Sequence, residues 1–177
     1  MQTELVFTFI AHHKVGILDH FAKLVAENQG NWLASKMVKL AGQFTGIVQI
    51  SVHETHAEML KEALEALQTP EMSIIVELHP LKNSTQIEQY NRQQFSLHFL
   101  GLDRVGIVKE VSQALVNHHV NVIEFESFTE AAPMAGSLMF KAQAVVDCDS
   151  NQSIEQLEAE LEAIANELDL DYVLDQK

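Results

Sequence analysis

The sequence predicts an α+β protein built from two copies of one small module. Three observations carry that expectation. The first is a repeat. At a constant offset of 90 residues, Phe9, Val15, Gly16, Ile17 and Asn31 fall on Phe99, Val105, Gly106, Ile107 and Asn121. Lys14 falls on Arg104, and no gap is needed between Thr8 and Asn31. A repeat of this kind decides the architecture before any local reading does. The second is a hydrophobic period that switches between two and 3.6 residues in the same order in both halves. The third is length. The 177 residues divide into modules of roughly 75 to 85 residues, a size at which an isolated domain is marginal and gains by packing on a neighbour. The expected division is a first module over 1–80, a linker over 81–93 and a second module over 94–177.

In the first module Leu5, Phe7 and Phe9 alternate with Val6, Thr8 and Ile10. That period of two is a strand with its bulky residues on the core face. After a turn at Gly16, the residues Ile17, Phe21, Leu24 and Val25 recur at helical spacing and stop near Gly30,. Asn31–Val38 reads as a second strand, Leu40-Ala41-Gly42-Gln43 as a hairpin connection, and Phe44–Val52 as the return strand,. Thr55-His56-Ala57-Glu58 has capping-box spacing, which places a helix start at Thr55,. Met59, Leu60, Ala63, Leu64 and Leu67 form the apolar stripe of that helix, and Pro70 lies beyond its end. Ser73–Leu78, rich in Ile and Val, is the last strand.

Pro80–Gln93 is polar and reads as linker. The second module repeats the order with strands over 94–101, 120–129, 137–147 and 170–174 and helices over 105–118 and 152–168. Its hairpin connection, Glu130–Gly136, is longer than the first. Its last helix carries Ile154, Leu157, Leu161, Ile164 and Leu168 on one face and Glu155, Glu158, Glu160 and Glu162 around the rest. The order is βαββαβ twice, which is the ferredoxin-like two-layer sandwich. Helices cover one face of each sheet, so the other face and the edges are open to pairing between modules or between chains.

Composition narrows the function. The hydrophobic content of 47% supports real cores. The net charge of −14 is uneven: residues 1–80 carry five Lys/Arg against nine Asp/Glu, and residues 93–177 carry four against fifteen. Binding a phosphate backbone needs clustered cations, so no direct nucleic-acid partner is expected. Anionic membrane surfaces repel the chain for the same reason. The one cysteine, Cys148, suits a reducing cytoplasm,. Met1-Gln2-Thr3-Glu4 places no basic stretch before the first apolar run, so no secretory signal is expected,. No apolar run approaches the ~18 residues of a membrane span.

The turn sequence is the most informative stretch. Asp103-Arg104-Val105-Gly106-Ile107-Val108 follows a strand, opens a helix and is followed by Asn121-Val122 at the start of the next strand. In these features the chain resembles the ACT domain family, small βαββαβ modules that bind amino acids and regulate other proteins. Residues Asn31 to Val52, with Ser35-Lys36-Met37 and Leu40–Phe44, and the connection from Ala132-Pro133 to Phe140 are similar to the group of glycine cleavage system transcriptional repressors within that family. The resemblance covers nearly the whole chain. The first copy departs from it: His12-His13-Lys14 stands where the family writes Asp-Arg after a small residue, and neither copy has the family's Pro before Gly.

The resemblance implies a non-catalytic regulator that responds to an amino acid, with glycine suspected. It would act on a protein partner such as a transcriptional activator and form a homodimer, with no cofactor. The alternative it leaves is a regulatory subunit of an amino-acid biosynthetic enzyme. It also implies which residues bind: His13, Val15, Gly16 and Asn31 in the first copy, and Asp103, Arg104, Gly106 and Asn121 in the second. The chemistry fits. A strand-to-helix turn leaves backbone N–H groups free at the positive end of the helix, where a carboxylate is stabilised. Glycine lets a ligand approach closely. Asn both donates and accepts, as a zwitterion requires, and Asp103 can accept from an ammonium. Plainer roles remain open for each. The glycines can serve the turn alone, Asp103 can cap its helix with Arg104 solvated, and the Asn residues can be turn residues at strand entry.

Other chemistry is excluded by pattern. The histidine pairs His12-His13 and His118-His119 are adjacent and diverge, and His53-x-x-His56 lacks a third ligand nearby, whereas zinc needs three or four. No metal site is therefore expected. Neither a nucleophile motif nor a phosphate or dinucleotide fingerprint occurs. An RNA-binding sheet of this topology needs exposed aromatics and basic charge, while here the Phe residues are expected to face the helices.

Overall fold

The computed structural model describes residues 1–12, 15–79, 92–132 and 136–176. The chain divides into two compact units, Met1–Ile87 and Glu88–Lys177. The first runs β1 (Gln2–His12), α1 (Ile17–Glu27), β2 (Asn31–Leu40), β3 (Gln43–His53), α2 (Glu54–Glu65) and β4 (Met72–His79). The second runs β5 (Arg92–Leu102), α3 (Ile107–Asn117), β6 (Asn121–Ala131), β7 (Leu138–Asp149), α4 (Ile154–Leu168) and β8 (Leu170–Gln176). Each unit is a βαββαβ sandwich with a four-stranded antiparallel sheet, ordered β2-β3-β1-β4 in one and β6-β7-β5-β8 in the other. The linker expected at 81–93 lies outside the described residues up to 91, and β5 has already begun at Arg92.

Alternation along β1 places the core. Leu5, Phe7, Phe9 and Ala11 are buried, and they meet Phe21 and Val25 of α1 and Leu60 and Leu64 of α2. Phe21 sits 5.2 Å from Phe7 and 4.8 Å from Phe9 between ring centroids, in the tilted geometries that aromatic rings prefer,. The second core repeats this with Phe95, Leu97 and Phe99 against Ile107, Val111, Leu115, Leu157 and Leu161. The first hairpin closes in two residues, Ala41 and Gly42, both at positive φ (48° and 80°), which matches the twist of its strands,.

Four local expectations are corrected. The capping box at Thr55 does not form. Helix α2 starts at Glu54, and its N-cap is His53, whose side chain accepts from the Thr55 N–H at 3.4 Å. The Thr55 hydroxyl is engaged instead with His53 Nδ1 at 2.9 Å. Met59 is not in the stripe; it is 52% exposed, and Ala57 takes its place in the core. Helix α1 ends at Glu27, short of Gly30, with its left-handed residue at Gln29. Gly30 serves packing, because a Cβ there would meet Val25 Cγ1 at 2.9 Å and Ile50 Cγ2 and Leu60 Cδ2 at 3.0 Å.

The fourth concerns the aromatics. Phe7, Phe9, Phe95 and Phe99 do face the helices, but Phe125 and Phe128 are about half exposed on β6. That strand lies at the sheet edge and is exposed at every one of its eleven residues. No helix among the described residues is long and apolar enough to cross a membrane.

Candidate ligand-binding site

The β1–α1 turn is built around Gly16, the N-cap of α1, at φ 94° and ψ 0°. A β-carbon there would touch nothing within 4 Å, so the backbone angle and not space requires glycine,. No side chain caps this helix. Its first backbone bond runs from the His20 N–H to the Gly16 carbonyl at 2.9 Å. The N–H groups of Ile17, Leu18 and Asp19 therefore lie ahead of the intrahelical ladder and point out at the positive end of the helix.

Beside this turn lies a cleft of about 680 Å³. Its floor is apolar: Ala11, Ile17 and Phe21 are buried, and Leu67 and Met72 are half-buried. Its rim carries His12, Val15, His20, Ala66, Thr69 and Glu71, all exposed. The far wall is the connector between α2 and β4, residues 66–71, and its backbone is held by its own bonds. Thr69 and Met72 exchange N–H···O bonds at 2.9 and 3.1 Å. The Glu71 N–H reaches the Thr69 hydroxyl at 3.3 Å, and the Glu71 carbonyl accepts from the His12 N–H at 3.2 Å. Glu71, His12 and His20 thus contribute to the lining around an apolar floor, next to helix-end amides.

The matching turn of the second unit is built differently. Gly106 again has positive φ, 106°, with open space at its Cβ position, and no side chain caps α3. Asp103 is not a helix cap; its N–H donates to the Leu138 carbonyl at 2.9 Å. Arg104 is exposed but not merely solvated, because its guanidinium donates to the Leu168 carbonyl at the end of α4. Where the first unit has a six-residue connector, the second passes from α4 to β8 through Asp169 alone, in left-handed conformation at φ 54°. Gly101 is packed hard under that crossing, since a β-carbon there would come 2.4 Å from Leu170 Cδ2 and 2.7 Å from the Asp169 carbonyl. The wall that bounds the first cleft has no counterpart here.

Of the residues expected to bind, Val15 and Gly16 line the cleft, and His13 lies outside the described residues. Asn31 is elsewhere. It pairs with Ser51, which pairs with Glu4, eight positions before His12 on β1. At ~3.4 Å per residue the turn and Asn31 are roughly 27 Å apart, at opposite ends of the same sheet. Asn121 has the same relation to its own turn, pairing with Asp147, which pairs with Gln94. Neither unit brings its glycine turn and its asparagine together.

Cys148 is buried within the second core, and burial raises its thiol pKa above the usual range. Among the described residues, no three His, Cys, Asp or Glu side chains converge as a metal site would require. A smaller apolar hollow of about 400 Å³, lined by Leu18, Ala22, Val25, Ala26, Gly30 and Trp32, lies along α1.

The sequence model of the ACT domain family matches residues 3–79, which is the first unit from β1 through β4. The second unit repeats that element order and strand order. The first unit matches that family, and the second has the same fold. Along its whole length this tandem matches the crystal structure of an unknown protein from Galdieria sulphuraria, at 23% identity and a TM-score of 0.85, covering 100% of this chain and 99% of that one. It also matches a candidate glycine cleavage system transcriptional repressor at 16% identity and a TM-score of 0.68, covering 100% and 98%. At these identities the likeness is one of fold. No curated protein matches the sequence.

His12, His20, Thr69 and Glu71 were not anticipated as site residues. The signal that could have found them is the six-residue stretch between the second helix and last strand of the first unit, against one residue in the second.

Proposed function

We propose that this tandem ACT protein is a non-catalytic, amino-acid-responsive regulator that acts by contact with another protein. The observation that carries the reading is the first β1–α1 turn: uncapped helix-end amides beside a cleft whose lining residues include Glu71, His12 and His20. Amides and imidazoles suit an α-carboxylate, and Glu71 suits an α-ammonium. Val15 and Gly16 take part through the turn, and His13 belongs to the same stretch of chain. Asp103, Arg104, Gly106 and Asn121 form the second candidate set. Because each asparagine stands at the far end of its own unit, Asn31 or Asn121 can join a turn only across an interface with another module. A homodimer supplies such an interface. The fully exposed edge strand β6, with Ile123, Phe125 and Phe128, favours a partner strand there,.

The ligand acts through its different affinity for two states of the protein and so changes the surface presented to the partner. The sequence resemblance and the name of one full-length structural neighbour point to a cytoplasmic regulator of glycine cleavage genes, with a transcriptional activator as partner and glycine as the first ligand to try. Calorimetry of the full chain against glycine, serine and the branched amino acids tests the reading. Saturable heat with one of them is expected, and none at millimolar concentration sinks it. A pull-down with and without that amino acid should retain a transcription factor. Recovery of a biosynthetic enzyme instead would make the chain that enzyme's regulatory subunit.

A further inference from the structure

The cleft beside Gly16 is far larger than a glycine molecule needs, and its floor is apolar. Resting on the reading that this turn binds an amino acid, we propose that the first ACT domain alone holds the ligand, and that the ligand is an α-amino acid with a large apolar side chain. The volume of about 680 Å³ falls within the ~300–1,000 Å³ range of small-molecule sites,. Leu67 and Met72, both half-buried, line it with partly exposed carbon over the buried Phe21, and nothing on that floor offers a polar group to a bare α-carbon. Glycine would engage the helix-end amides and Glu71 and leave Leu67 and Met72 partly facing water. A leucine, methionine or phenylalanine side chain would cover them, and removing apolar surface from water on both partners favours binding in proportion to the area covered.

The second domain cannot offer the same enclosure. Its α4–β8 crossing is the single residue Asp169, and Arg104 is tied to the Leu168 carbonyl beside the turn. Among the described residues the geometry therefore assigns one such site per chain.

Calorimetry on the full chain with leucine, methionine, phenylalanine and glycine, followed by the Ala66→Phe and Glu71→Gln variants, tests this. Ala66 is an exposed residue on the rim, so a phenylalanine there enters the cleft without entering the core. The expected result is a stoichiometry of one per chain, with at least one large apolar amino acid binding tenfold or more tighter than glycine. Ala66→Phe should weaken that ligand at least tenfold with the thermal midpoint of the free protein unchanged, and Glu71→Gln should weaken it several-fold. Hydrogen exchange should show the ligand protecting residues 12–21 and 66–72. Glycine binding as tightly as the larger amino acids overturns the proposal, as does binding that both variants leave intact, while the amino-acid reading survives either. No binding by any amino acid removes both.

Discussion

Gly16 and Gly106 stand at the same place in the repeat, and each is the N-cap of its first helix with positive φ, 94° and 106°. Neither has a neighbour within 4 Å of its would-be β-carbon. Their requirement for glycine is thus conformational. A left-handed backbone costs an L-residue about 1–2 kcal/mol, so Gly16→Ala and Gly106→Ala should each lower stability by about that much. Gly101 is the opposite case. Its β-carbon would lie 2.4 Å from Leu170 Cδ2 and 2.7 Å from the Asp169 carbonyl, and backbone cannot swing aside as a side-chain tip can. Gly101→Ala should therefore be the costliest of the three, above about 2 kcal/mol, in the range of overpacked cores. Urea unfolding of the three variants separates the two mechanisms. A Gly101→Ala loss smaller than that of Gly16→Ala would contradict the packing account.

At the scale of elements, the strands and helices of the described residues were legible because all but the edge strand β6 bury one regular face. Leu5, Phe7 and Phe9 on β1 and Leu157 and Leu161 on α4 repeat at the period of their own element, and burial follows the period. What escaped the sequence lies where that rule stops. The start of α2 was misplaced because His53, a ring nitrogen outside the usual set of caps, accepts at the N-terminus two residues earlier than the Thr55 hydroxyl would have,. The cleft was missed because it is made by the length and self-bonding of a connector, which has no period. The ties between helices are equally invisible. Glu160 of α4 accepts from His118 Nε2 at 2.6 Å and from Asn117 Nδ2 at 3.2 Å, joining it to the end of α3. Both partners are partly exposed, the His118 side chain 18% and Glu160 36%, so solvent screens part of the interaction. Glu160→Ala should cost about 0.5–1.5 kcal/mol, the net worth of ordinary hydrogen bonds. A double-mutant cycle with His118→Ala should return a coupling energy of the same sign, and a coupling of zero would mean that the contact contributes nothing.

Over the whole molecule, duplication and divergence act together. The two units share their strand order, and in each the glycine turn and the asparagine were kept at opposite ends of the sheet. The sequence showed these residues as a recurring set but not their separation, because register between strands is a long-range property. Charge diverged as well. Residues 93–177 carry four Lys/Arg against fifteen Asp/Glu, while residues 1–80 carry five against nine. Clustered phosphate contacts are what give a protein affinity for a duplex, and their signature is binding that weakens steeply with salt. A chain of net charge −14 is repelled by that polyanion most strongly where screening is weakest,. A gel-shift titration of the pure protein against duplex DNA at about 50 mM salt, the low end of the range over which such contacts are compared, should show no retarded band, with or without the bound amino acid. The same titration with the partner recovered from the pull-down should show retardation that depends on that partner. A salt-sensitive shift by the pure chain alone would mean that cations from 1–80 gather into a surface that overcomes the acidic half, and regulation through a protein intermediary would no longer be needed to explain an effect on transcription.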